Sequence, residues 1–126
     1  MAKISSVEIK QGTTPLVTAI LEGQAIQDAT VYLSIRARNR LIVKSNYCEN
    51  SGMLLEPVLD DQDEQVGTSI TVQLTQCETL CLKPGAARIE VGWVFDDGSA
   101  DKSNIGMITI TPTLLKEVMR YGEHSS

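Results

Sequence analysis

Carboxylates are the densest candidate chemistry in this chain. Asp96, Asp97 and Asp101 fall in one short stretch, and Asp60, Asp61, Asp63 and Glu64 in another. Oxygen ligands gathered in this way can hold Ca²⁺, but the EF-hand spacing and its closing Glu are both missing. Asp97-Gly98 is also the dipeptide that a hairpin turn uses, so the first group reads as a turn. The second reads as a solvated run, with a contact for a basic partner or a divalent ion as the alternative. Paired carboxylates do acid/base work in glycosidases, yet nothing here orients two of them into a cleft. An aromatic content of 4% is also low for a sugar-binding platform.

Nucleophiles and metal ligands are fewer still. The one His, His124, lies almost at the C-terminus, which argues against catalysis built on a central imidazole and against most zinc sites. The three cysteines are Cys48, Cys77 and Cys81. An odd count without a secretory signal fits reduced thiols, expected to be buried or half-buried structural groups. Cys77 and Cys81 could share a helical face, but no further ligands lie beside them. Arg36, Arg38 and Arg40 alternate along and just past one strand pattern, near Tyr32 and Tyr47. They could take an anion or a carbohydrate; a charged outer face that guards an edge strand is the plainer reading. The chain therefore reads as a non-enzyme with no cofactor, no metal and no small-molecule substrate.

The elements that would position these residues follow a period of two. Val31, Leu33, Ile35 and Ala37 alternate with Tyr32, Ser34 and Arg36. Ile70, Val72 and Leu74 alternate with Thr71 and Gln73, and Ile89, Val91, Trp93 and Phe95 with Arg88, Glu90, Gly92 and Val94. Each pattern predicts a half-buried antiparallel strand, with Trp93 as a core anchor. Weaker candidates are 4–10, 16–21, 41–44 and 105–110. Turn chemistry punctuates them at Gly12, Pro15, Gly23, Lys83-Pro84-Gly85 and Asp96-Asp97-Gly98-Ser99. Thr75 and Glu78 have the capping-box spacing, which predicts one helical turn crossing between sheets. Residues 46–67 form a long connection, expected to hold a short edge strand over 53–56 and then a solvated acidic loop.

The C-terminus changes character. Thr111-Pro112 has the form of an N-cap followed by Pro at the first helical position. Leu114, Leu115, Val118 and Met119 then fall at helical spacing before Gly122. That predicts a short amphipathic helix whose apolar stripe either closes the domain or docks on a partner.

A chain of 126 residues and 13.7 kDa, 42% hydrophobic and 21% charged, is one globular domain with a core of its own. The net charge of −5 argues against nucleic acid or an anionic membrane as partner. No stretch is long and apolar enough for a membrane span. The opening residues carry no h-region, so cytoplasmic synthesis without a signal peptide is expected. The fold class predicted is all-β. It is an immunoglobulin-like antiparallel β-sandwich of about seven strands over residues 1–111, with a short helix and tail over 112–126. The Cys…Trp…Cys signature of antibody domains is absent.

Four pieces, read in order, carry a family resemblance. They are Lys10-Gln11-Gly12-Thr13-Thr14-Pro15; Ala29-Thr30-Val31-Tyr32-Leu33-Ser34-Ile35-Arg36; Val72-Gln73-Leu74-Thr75-Gln76 with Glu78-Thr79-Leu80 and Lys83-Pro84-Gly85; and Trp93 with Asp97-Gly98 and Ser103-Asn104-Ile105. The series resembles small phage and prophage structural proteins, in particular the N-terminal domain of phage baseplate upper proteins. It departs from them at Ile26-Gln27-Asp28, where a Leu-Thr-Gly turn is usual, and in the longer, more acidic 46–67 connection. The resemblance implies a virion structural or accessory protein of tail, baseplate or neck, made in a host bacterium. It would act by assembly with other virion proteins or with itself, and it implies no catalytic residues. Leu114, Leu115, Val118 and Met119 are the expected docking residues. The alternative is a stand-alone module binding carbohydrate or a bacterial surface component.

Overall fold

The computed structural model describes residues 2–4, 8–47 and 52–122. Within them the chain is predominantly β, with two sheets and one short helix. The strands are β1 (Ala2–Ile4), β2 (Glu8–Lys10), β3 (Leu16–Glu22), β4 (Thr30–Arg36), β5 (Leu41–Ser45), β6 (Leu54–Leu59), β7 (Gln65–Gln73), β8 (Gly85–Val94), β9 (Ala100–Lys102) and β10 (Gly106–Thr111). The helix, α1 (Gln76–Leu80), lies between β7 and β8. One sheet has the order β1-β3-β7-β6; the other has the order β2-β10-β8-β4-β5, with β9 also on β8.

The three clear alternations place the core. Val31, Leu33 and Ile35 of β4, Ile89, Val91 and Trp93 of β8, and Ile70 and Val72 of β7 are all buried in one hydrophobic cluster, joined by Leu74. That cluster takes side chains from both sheets, so the two inward faces share it. Arg88 and Gln73 are exposed as expected. Thr71 and Glu90 are half-buried instead. Thr71 Oγ1 meets Thr18 Oγ1 across the β3–β7 pair at 3.0 Å, and Glu90 sits in the groove described below.

Among the described residues there are ten strands, where about seven were expected. The pattern over 4–10 gives two strands that serve different sheets. β1 pairs antiparallel with β3, whereas β2 pairs parallel with β10, from the far end of the chain. Local alternation specifies that a segment is extended, but not which neighbour it takes. The described part of the long connection, residues 52–67, is also more regular than expected. β6 runs on to Leu59, and the acidic residues make the tight turn of a β6–β7 hairpin. Asp60 Oδ1 accepts from the amides of Gln62 and Glu64 at 2.8 and 3.0 Å, which closes that turn. Gly67 is required where β7 pairs with the end of β3, since a Cβ there would lie 2.5 Å from the Leu21 carbonyl oxygen.

The capping box forms as the Thr75–Glu78 spacing implies. Thr75 Oγ1 accepts from the Glu78 amide at 3.1 Å, and Glu78 Oε1 accepts from the Thr75 amide at 2.9 Å. α1 carries the chain from the four-stranded to the six-stranded sheet.

Two expectations fail here. Residues 112–122 contain no helix. A ten-residue helix has little stability of its own in water, and hydrogen bonds to the body compete for its main chain. The Met119 amide donates to Gln76 Oε1 at 2.7 Å, and the Met119 carbonyl accepts from Gln76 Nε2 at 2.9 Å. Cys77 and Cys81, expected to be buried or half-buried, are exposed. α1 turns Thr79 inward, and residues two positions away lie about 200° round the helix on its solvent side. Cys48 and His124 lie outside the described residues.

Candidate functional site

The outer face of the six-stranded sheet carries a groove of about 580 Å³. Its position follows from the same alternation that builds the core. With Val31, Leu33, Val91 and Trp93 turned inward, Tyr32, Ser34, Glu90, Gly92 and Val94 must face out. Register brings them together: Tyr32 lies beside Gly92, Gly92 beside Lys102, and Ser34 between Glu90 and Val43. Gly92 forms the floor. A side chain there would reach Lys102 Cγ at 3.5 Å and narrow the trough. Tyr32 makes one wall, its ring 6.1 Å from that of Tyr47 and tilted by 43°. Ala100, Asp101 and Lys102 make the other.

The trough is open and mixed in character. Tyr32, Val43, Val94 and Ala100 offer apolar contact, while Glu90 and Lys102 offer charge. This arrangement suits docking of a chain segment or a ring. Beyond it Leu41, Ile105 and Met107 are exposed, with Arg36 and Arg88 standing between Leu41 and Met107 in the cross-strand register. Among the described residues, no group of three or more His, Cys, Asp or Glu side chains is placed to hold a metal ion.

The residues singled out from sequence scatter. Asp97 closes the β8–β9 hairpin: its Oδ1 accepts from the Ser99 hydroxyl at 2.6 Å and the Ser99 amide at 2.8 Å. These bonds hold its carboxyl below the usual range. Asp101 belongs to β9, on the groove wall. Arg36 is exposed on β4, beside a smaller depression shared with Leu41, Arg88 and Ile105. Arg38 and Arg40 lie past the strand, in the turn to β5, which the Ala37 amide closes on the Arg40 carbonyl at 2.9 Å. Of the expected docking residues, Leu114 is fully exposed. Leu115 and Met119 lie against residues 10–13, and Val118 against Gln76 and Cys77. They form no common stripe.

A buried polar cluster anchors that C-terminal segment. Thr79 Oγ1 accepts from the Gly12 amide at 2.9 Å and donates to the Thr13 carbonyl at 2.8 Å. Gln11 Nε2 donates to the Leu82 carbonyl at 2.8 Å, and its Oε1 accepts from Lys116 Nζ at 2.9 Å. Sequence reading missed both this cluster and the groove. The signal for the groove was Gly92 inside a strong strand pattern, which often marks a close approach to a ligand or a backbone. No helix among the described residues is long and apolar enough to cross a membrane. No protein-family model matches the chain, and comparison with curated proteins gives no match.

Proposed function

We propose that the chain is a non-enzymatic structural or accessory protein of a phage or prophage virion, in the tail, baseplate or neck. It works by protein–protein assembly on an immunoglobulin-like antiparallel sandwich. The observation that carries the reading is the outer face of the six-stranded sheet, where Leu41, Val43, Ile105 and Met107 stay exposed round the groove. Large apolar side chains left in water on a rigid sheet, set among Arg36, Arg88 and Glu90, suit a contact with another protein. The ordered resemblance to phage structural proteins gives that contact its setting. The test is to purify particles from an induced host on a density gradient and quantify the chain's peptides by mass spectrometry. Enrichment in intact particles supports the reading, and absence from them overturns it.

A second reading, a module for carbohydrate or another bacterial surface component, rests on the groove itself. Tyr32 offers a ring face near the Glu90 carboxylate. Calorimetric titration with cell-wall glycans, repeated on Tyr32→Ala, separates the two: saturable heat that the variant loses favours this reading, and no binding to either protein overturns it.

A further inference from the structure

We propose that β5 is a self-association edge, on which a second copy of this chain pairs antiparallel about a two-fold axis at Val43. The inference deepens the assembly reading above and rests on it only for its biological setting. Hydrogen-bond register carries it. The Ala37 amide donates to Arg40, and the Asn46 amide to Val31. Ile35↔Ile42 and Leu33↔Lys44 lie between these pairs in the same ladder. Bonded and non-bonded pairs alternate in an antiparallel ladder. Arg40, Ile42, Lys44 and Asn46 therefore turn their main chain toward β4, while Leu41, Val43 and Ser45 turn theirs outward. Among the described residues no main-chain partner meets those outward groups.

This edge lacks the usual protection. Proteins blunt exposed edges with very short strands, Pro, bulges or charge. β1 and β2, the outermost strands at the opposite ends of the two sheets, have three residues each. β6 carries Glu56, Pro57 and a register shift between Val58 and Leu59. β5 has five residues, no Pro and no bulge. Its one charged side chain, Lys44, is drawn aside to Glu78 at 2.8 Å.

The edge is also complementary to itself. Pairing centred on Val43 sets Val43 against Val43 of the second copy and Leu41 against Ser45, each pair exchanging two hydrogen bonds. Ile42 then faces Lys44, and Arg40 faces Asn46, so no like charges are opposed. Leu41 and Val43, 50% and 49% exposed, lie on the groove side of the sheet, and each meets the second copy's apolar edge there. Tyr47, 68% exposed, comes within diagonal reach of Leu41 across the axis. One strand edge buries less than a standard interface, so association in the micromolar range is expected.

Sedimentation equilibrium of the full chain, from about 1 to about 500 µM, tests this. The expected result is a mass rising from the 13.7 kDa of one chain toward twice that value. Val43→Pro removes an N–H that β4 does not use, and Val43→Lys opposes two like charges at the axis. Each should weaken dimerisation by about tenfold or more while circular dichroism stays unchanged. If the proline variant does not fold, Val43→Lys carries the test. Hydrogen exchange should show the Val43 amide becoming protected as wild-type concentration rises. A wild-type chain monomeric throughout overturns the proposal, and so does a dimer that both variants leave intact. A dimer whose chain is missing from particles overturns the virion reading and leaves this one standing; a monomer found in particles does the reverse.

Discussion

β5 and β6 are outermost strands of comparable length, one in each sheet, and they treat their outward backbone differently. On β6 a Pro in mid-strand, a Glu beside it, a register shift and an acidic turn at its end all resist a further strand. On β5 the outward groups of Leu41, Val43 and Ser45 have none of these guards, and the apolar side chains alternate on the solvent side. The difference teaches that an outermost strand can carry several guards against a further strand, as β6 does, or none of them, as β5 does. The composition of the two strands is otherwise similar, so the guards and the ladder register make the distinction.

The largest expected effect asks whether the two edges share one fate. Both hang on the core that Trp93 helps to fill, so Trp93→Ala should cost about 3–5 kcal/mol. Denaturation followed by exchange at β5 and at β6 should show both lost in one transition; separate transitions would break the comparison at its base. Next comes the β3–β7 pairing beside β6. Gly67→Ala would press a methyl on the Leu21 carbonyl and should cost about 1–3 kcal/mol in a urea titration. Wild-type stability in that variant would mean that β7 moves freely away from β3.

A smaller energy change with a larger change in behaviour is expected from removing the guards. Glu56→Thr with Pro57→Val should shift stability by less than about 1 kcal/mol. Light scattering at high concentration should nevertheless rise with time as β6 begins to pair. A solution that stays clear would show that the bulge and acidic turn suffice alone.

The smallest effect concerns the ion pair beside β5. Burial pushes the Glu78 carboxyl up, but Lys44 and the Thr75 amide and hydroxyl outweigh it and hold the carboxyl below its ordinary 4.5. A lowered folded-state value gives stability that is fully present above about pH 4.5 and lost as pH falls through the lowered value. Solvent screening keeps this to about a few tenths of a kcal/mol. Melting temperatures at pH 7 and pH 3 should therefore differ slightly less in Glu78→Gln than in wild type. An equal difference would remove Glu78 from the acid sensitivity.

Much of the fold was legible where the signal was local. The alternations in β4, β7 and β8 needed only the two-residue period of extended chain, and the α1 cap needed only Thr75 and Glu78 at their spacing. The C-terminal helix misled because Thr111-Pro112 and the spacing of Leu114, Leu115, Val118 and Met119 are true helix signals. They lost to Gln11 and Gln76, which bind that segment's main chain and Lys116 from distant parts of the sequence. The expected burial or half-burial of Cys77 and Cys81 failed for a related reason, since which side of α1 meets the body is set by Thr79 and its contacts with the Gly12 turn.

By itself, then, the sequence determined which segments are extended, which of their faces is apolar, and where the chain turns. These properties belong to neighbouring residues and to the backbone's own geometry. Only the tertiary structure decided that β1 and β2 part to different sheets, that Tyr32, Gly92 and Lys102 meet across three strands, and that β5 ends its sheet with bonding groups turned outward. Strand order and edge position depend on pairing between residues far apart in the chain, and no local period encodes that choice.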